Sequence, residues 1–100
     1  MNTEELAAVF QALSDPLRLR LLEMLPTEEA SVPISVCNLA KRLDISQPNA
    51  SHHLKILRSA GLIDCTKSGG CSYYIVDPVR LQEAGKALGA RLAPTSETTI

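Results

Sequence analysis

The sequence predicts a small, mainly helical domain with one β-hairpin near its C-terminal end. Three observations support this fold class. The chain has 100 residues, 45% of them hydrophobic, which is enough for one domain with its own core. Apolar residues recur at one-turn spacing in several segments. Two short β-prone runs flank a glycine pair. Because only three residues are aromatic, the core is expected to be aliphatic.

The N-terminal third predicts two helices. Thr3 is a suitable N-cap, and an apolar stripe follows it at Leu6, Val9, Phe10 and Leu13. Asp15 and Pro16 then form a cap-then-proline start for a second helix. Residues 17–25 are so apolar that this helix is expected to be the buried central element. Residues 32–34 predict one short strand, with Ser35 as the N-cap of the next helix.

The stretch from Asn38 to Gly61 is the most informative part of the chain. A short apolar helix ends near Asp44, and a tight connection leads to Ser46, which can cap a second helix. In that second helix Ala50, Leu54 and Leu57 recur on one side. Two short helices joined by about three residues are typical of a helix-turn-helix.

The other side of this second helix is polar. Amides and hydroxyls suit base edges and cations suit phosphates, and the exposed set comprises Gln47, Asn49, Ser51, His52, Lys55 and Arg58. The net charge of the chain is only −1, but residues 41–67 hold five basic and two acidic residues, a local +3. Positive charge is therefore concentrated where the polar helix face lies. We interpret this helix as a DNA-recognition helix.

The C-terminal part predicts a wing and a last helix. The runs 62–66 and 72–76 surround Lys67 to Gly70 and predict a hairpin, which makes the motif a winged helix-turn-helix. Asp77 and Pro78 open a last helix, in which small residues permit close approach of another helix. The prediction is one DNA-binding and dimerisation domain, residues 1–93, with a disordered tail at 94–100.

Several classes of protein are excluded by what the sequence lacks. No run approaches the ~18 apolar residues that span a bilayer, and the acidic N-terminus is unlike a signal peptide. We therefore expect a cytoplasmic protein with no membrane partner. An enzyme is not expected, because no glycine-rich phosphate loop or acidic partner for a Cys–His pair is present. A winged helix that binds protein instead of DNA remains an alternative.

Three segments resemble the ArsR/SmtB family of bacterial metal-responsive repressors: ALSDPLRLRLLEML, SVCNLAKRLDISQPNASHHLKILRSAGLI and the glycine-centred wing ending in YYIVDP. The resemblance covers roughly residues 5–90 in the same order. It implies a homodimer formed through the first and last helices. It also implies that the dimer binds double-stranded operator DNA at an imperfect inverted repeat and is released by an inducer. No permanent cofactor is implied.

The resemblance and the exposed helix face give nearly the same predicted DNA-binding set. It comprises Ser46, Gln47, Asn49, Ser51, His52, His53, Lys55 and Lys67. The two histidines are assigned to DNA contact or packing, because adjacent residues lie on different helix faces and chelate one ion poorly. Members of the family commonly carry an arginine near the wing tip, whereas this tip has only Lys67.

The inducer is predicted from the cysteines. Arsenic and cadmium sensors of the family usually show Cys-Val-Cys where this chain reads Ser35-Val36-Cys37, and the last helix lacks the histidines of the zinc and nickel sensors. The remaining soft donors are Cys37, Cys65 and Cys71, which suit As(III), Sb(III) or another soft metal ion. A three-residue wing loop would place Cys65 opposite Cys71, whereas a two-residue loop at residues 68–69 would separate them.

Two alternatives remain for the signal. The repressor could respond to an oxidant that closes a Cys65–Cys71 disulfide, or it could sense nothing through cysteine.

Overall fold

The computed structural model describes residues 1–27 and 34–92. Its elements in chain order are α1 (Thr3–Leu13), α2 (Pro16–Met24), β1 (Ile34–Ser35), α3 (Val36–Leu43), α4 (Gln47–Ser59), β2 (Ile63–Ser68), β3 (Cys71–Val76) and α5 (Pro78–Leu92). The strands form an antiparallel sheet in the order β1-β3-β2. This is the predicted fold class, a mainly helical winged helix-turn-helix. The predicted tail at 94–100 lies outside the described residues.

The core is aliphatic, as predicted. Its largest fully buried side chains are Val9, Leu21, Leu39, Leu54, Leu57, Leu62 and Ile63. Phe10 is 39% exposed and both tyrosines are half-buried, so aromatic rings contribute little to it. The described residues include no buried charged or polar side chain.

The prediction that the second helix is the buried centre is wrong. In α2 only Leu21 is buried, and Leu19 is 43% exposed. The central element is α4, which packs against α1, α2, α3 and β2. Helix α2 lies at the surface, because its leucines alternate with the charged residues Arg18, Arg20 and Glu23 and cover only part of the helix.

The caps agree with the sequence except at the first helix. Asn2, not Thr3, is the N-cap of α1: its Oδ1 accepts from the Glu5 N–H at 2.8 Å, and the Glu5 side chain accepts from the Asn2 N–H at 3.4 Å. This reciprocal pair satisfies two backbone donors at once, which a cap at Thr3 would not do. Asp15 and Ser35 cap α2 and α3 as predicted.

An arginine that the sequence did not single out joins three helices. Arg80 of α5 donates from Nε to the Ala60 carbonyl at the end of α4, at 3.3 Å. Its Nη2 lies 3.6 Å from Oε2 of Glu5 in α1. The end of α4 is thereby tied to both terminal helices. Each described helix is too short or too polar to cross a bilayer.

Candidate DNA-binding surface

The connection between α3 and α4 fixes where the polar helix starts. Asp44 ends α3 in the left-handed conformation (φ 53°), and the Ile45 N–H donates to the Ala40 carbonyl at 3.0 Å. An aspartate tolerates this conformation better than most residues. Ser46 Oγ then accepts from the Asn49 N–H at 3.2 Å, so α4 begins at Gln47 with Pro48 in its first turn.

Helix α4 has one fully buried side and one exposed side. Ala50, Leu54 and Leu57 are 0% exposed and hold the helix in the core. Seven members of the predicted DNA-binding set are exposed: Ser46, Gln47, Asn49, Ser51, His52, Lys55 and Lys67. Arg58 is exposed as well. The structure therefore leaves a surface of amides, hydroxyls, an imidazole and cations free to meet a partner.

His53 does not belong to this surface, which contradicts the sequence prediction. It is half-buried, and its Nδ1 lies 3.2 Å from Nη1 of Arg18 in α2. A step of one residue turns a helical side chain by about 100°, so His53 points inward while His52 points outward. In the sequence, this inward orientation was indicated by the position of His53 directly before the buried Leu54.

Arg18 holds helices together, a role that was not predicted from the sequence. Its side chain is only 11% exposed. It donates to the Ala12 carbonyl at 2.6 Å and to the Gln11 carbonyl at 3.1 Å, both at the C-terminal end of α1. Since the same guanidinium reaches His53, it fixes α1 and α2 against α4. The sequence signal was a cation three residues after the Asp15 cap, in a helix whose other charged residues are Arg20 and Glu23.

Asp15 carries the charge that balances this arginine. Its Oδ1 accepts from the Leu17 N–H at 2.8 Å, and this hydrogen bond lowers the pKa of the Asp15 carboxyl below the ordinary 3.8. His53 and Arg18 act in the same direction, while partial desolvation opposes them. The carboxylate is therefore ionised at neutral pH, where it caps α2 and faces Arg18 at 3.7 Å.

The wing differs from both predicted loop geometries. Ser68 pairs with Cys71 across the strands, so the turn consists of Gly69 (φ 56°) and Gly70 (φ 79°). A two-residue hairpin turn of this type needs positive φ at both central positions, which glycine adopts without strain. Lys67 is exposed and is the only basic residue of the two wing strands.

This register separates two of the three thiols. Cys65 pairs with Tyr74, whereas Cys71 lies three residues before Tyr74 in β3, about 10 Å from it at the rise of a strand. The two side chains also point to opposite faces of the sheet. The predictions that Cys65 and Cys71 share an ion or form a disulfide are therefore wrong within one hairpin. Burial raises the pKa of the Tyr74 hydroxyl, and the neighbouring Cys65 thiol acts in the same direction.

Cys37 lies on a different element. It is exposed in the first turn of α3, and its Sγ donates to Oε1 of Gln47 at 3.7 Å. The described subunit therefore does not bring Cys37, Cys65 and Cys71 together. Across residues 1–27 and 34–92, no group of three His, Cys, Asp or Glu side chains is arranged to hold a metal ion.

The geometry agrees with what comparison with known proteins shows. Residues 13–66 match a family described as a helix-turn-helix domain. An uncharacterized HTH-type transcriptional regulator of Methanocaldococcus jannaschii is 38% identical over 80% of this chain and 86% of that protein. A transcriptional repressor SmtB homolog of Synechocystis is 39% identical over 73% of this chain, which spans about half (52%) of that relative. An arsenical resistance operon repressor of Staphylococcus xylosus is 35% identical over 74% of this chain and 67% of that protein.

Solved structures show the same architecture. An ArsR-like transcriptional regulator from Rhodococcus sp. RHA1 has a TM-score of 0.74 and 32% identity, over 87% of this chain and 78% of that one. A homodimeric winged helix-turn-helix DNA-binding domain from Mycobacterium bovis has a TM-score of 0.68 and 27% identity, over 88% of this chain and 80% of that one. The family consists of DNA-binding regulators and not of enzymes. The chain thus belongs to the ArsR/SmtB family of winged helix-turn-helix transcriptional regulators.

Proposed function

We propose that the protein is a homodimeric repressor that binds an imperfect inverted repeat of operator DNA and leaves it when a thiophilic inducer binds. The observation that carries the DNA-binding part is the exposed polar side of α4, set against a row of side chains that are 0% exposed. Gln47, Asn49, Ser51 and His52 are assigned to base edges or nearby phosphates. Lys55 and Lys67 are assigned to phosphates.

A dimer is supported by the two terminal helices. Phe10 of α1 is 39% exposed, and in α5 Val79 is 57% and Leu92 72% exposed. Large apolar side chains that water reaches on neighbouring helices favour a protein partner. One short recognition helix gives weak selectivity, whereas two related by a two-fold axis read two half-sites one or more turns of DNA apart.

To test this function, the purified protein is first used to select the DNA fragments that it binds from a genomic library. We expect the selected duplexes to share an inverted repeat and to bind two subunits per site. A Gln47→Ala/Asn49→Ala double variant should bind at least tenfold more weakly, with unchanged thermal stability because both side chains are exposed. Recovery of fragments that share no sequence would contradict a site-specific repressor.

The thiophilic inducer is proposed to act at Cys37. Its thiol contacts Gln47, the first residue of the recognition helix, so a change at sulfur reaches the DNA-binding surface in one step. A relative that is named an arsenical resistance operon repressor makes arsenite the first ion to test. Coordination at Cys37 removes the hydrogen-bond donor that Gln47 uses.

Gel shifts with arsenite titrated against the parent and three single variants test this assignment. Cys37→Ser should stay on the operator at arsenite concentrations that release the parent. Cys65→Ser and Cys71→Ser serve as matched controls and should be released like the parent, because both thiols lie on the wing strands and the thiol that contacts Gln47 is that of Cys37. Release of all three variants would show that sensing does not depend on Cys37.

A further inference from the structure

An open groove of about 500 Å³ runs between α1 and α4. Three alanines and Ile56 form its apolar part. Its polar side chains come from three helices: Gln11 of α1, Arg18 of α2, and His52, Lys55 and Ser59 of α4. The exposed large apolar side chains of α1 and α5 lie outside it, so the surface proposed for dimerisation does not include the groove.

The groove suits an anion. No carboxylate lines it, while Arg18 and Lys55 are basic side chains and His52 adds an imidazole. Lys55 makes no ion pair with any described residue. The closest acidic partner of Arg18, Asp15, already caps α2. Hydrogen-bond donors are available from Gln11 and Ser59, and side chains of both types commonly bind phosphate oxygens.

The groove is also continuous with the DNA-binding surface. His52 and Lys55 belong both to its walls and to the predicted recognition face of α4. A duplex that receives α4 in its major groove places a sugar-phosphate backbone along each side of that helix. We infer that this groove receives the DNA backbone, so that Gln11 of α1 contacts phosphate although it lies outside the helix-turn-helix. This inference rests on the proposed function.

The groove is held open by fixed contacts. Arg18 binds the carbonyls of Ala12 and Gln11 at 2.6 and 3.1 Å on one wall. The same guanidinium lies 3.2 Å from Nδ1 of His53 in α4, the helix that forms the other wall. The spacing of α1 and α4 is therefore set before DNA arrives, and little ordering free energy is spent when phosphate binds.

Opposite charge changes at Gln11 test the inference. Phosphate contacts are independent of sequence, so the probe is a 30-base-pair duplex of random sequence, alongside the selected operator. Gln11→Glu should weaken binding to both duplexes about threefold or more, and Gln11→Lys should strengthen it. Since each subunit gains one phosphate contact, Gln11→Lys should steepen the salt dependence of log K by about 1.8 per dimer.

Asn2→Asp is the matched control. It adds the same charge at the far end of α1, where aspartate caps a helix as well as asparagine does. It should bind both duplexes like the parent. A destabilised fold would weaken both Gln11 variants alike, so opposite effects of Glu and Lys point to contact with phosphate.

Equal DNA binding by the parent and both Gln11 variants would overturn the inference. If Gln11→Glu then also lost 8-anilinonaphthalene-1-sulfonate binding, the groove would be assigned to a small apolar anion. If the parent itself binds no duplex at low salt, the proposed function fails and the inference fails with it.

Discussion

At the scale of single residues, the two adjacent histidines show how one helix step separates DNA contact from structure. His52 is exposed on the polar side of α4, while His53 accepts a hydrogen bond from Arg18. The predicted DNA-binding set held both, although the spacing of the exposed helix face included only His52. The partner of His53 is 35 residues away in the chain, and local sequence does not reveal such a contact.

Alanine at each histidine should therefore have opposite effects. His52→Ala should weaken operator binding and leave the free energy of unfolding unchanged within about 0.5 kcal/mol, as for other surface substitutions. His53→Ala should lower the free energy of unfolding by about 1 kcal/mol, the usual worth of a lost hydrogen bond, and leave the affinity of the folded protein nearly unchanged. Urea denaturation and fluorescence anisotropy measure the two quantities. If His53→Ala instead weakened operator binding and His52→Ala lowered the free energy of unfolding, His53 would belong to the DNA-binding surface.

Asp15 predicts the behaviour of the fold in acid. Its pKa is lower in the folded chain than in the unfolded chain, chiefly because of the Leu17 N–H. The stabilisation is present above the unfolded pKa, about 3.9, and is lost as pH falls through the folded pKa. The urea midpoint of the parent should fall below about pH 4 more steeply than that of Asp15→Asn, which keeps an N-cap without a charge. If the urea midpoints of the parent and of Asp15→Asn fell equally steeply with decreasing pH, this role of Asp15 would be contradicted.

At the scale of elements, local chemistry predicted most of the fold. The Asp-Pro pairs start α2 and α5, Ser46 starts α4, and the Gly-containing turn joins two strands. The predicted hairpin register was wrong because the glycine pair itself forms the turn, whereas the predicted loops were centred one or two residues earlier. The predicted burial of α2 was wrong for a different reason: the apolar residues of a helix do not show how many other elements cover it.

The hairpin register predicts the redox chemistry of the wing. A disulfide needs its Cα atoms within about 7 Å, and Cys65 and Cys71 are not paired across the strands. After treatment with diamide, peptide mapping of the monomeric fraction should recover no Cys65–Cys71 link. A substantial yield of that linked peptide would mean that the strands slip by three residues, which would bring Cys71 opposite Cys65, or that the wing opens.

At the scale of the whole molecule, charge and apolar surface are distributed unevenly. The chain as a whole is close to neutral, yet residues 41–67 carry a net +3 that includes Lys55, Arg58 and Lys67. The exposed apolar side chains of α1 and α5 lie elsewhere. The charge could be predicted from the sequence because it depends on composition along the chain, whereas an interface through the first and last helices was expected from the family resemblance. It did not indicate the groove beside α4, since that arises only where three helices meet.

The proposed dimer is tested by placing charge on its apolar surface. Phe10→Glu should shift the protein towards monomers in sedimentation velocity and weaken operator binding, because the carboxylate must be desolvated in the interface. The matched control is Leu19→Glu, which changes a side chain of similar exposure (43% against 39%) on α2. Leu19→Glu should remain dimeric. If Phe10→Glu and Leu19→Glu were both dimeric at the same protein concentration, the interface would lie elsewhere.

The repressor function proposed for this protein depends on the polar side of α4 being the surface that meets DNA. An amide chemical-shift titration of the ¹⁵N-labelled protein with the selected operator tests this. We predict that the largest shifts fall on residues 46–55 and on Lys67, while the middle of α5 changes little. Large shifts confined to α5, with residues 46–55 unmoved by bound DNA, would contradict the claim.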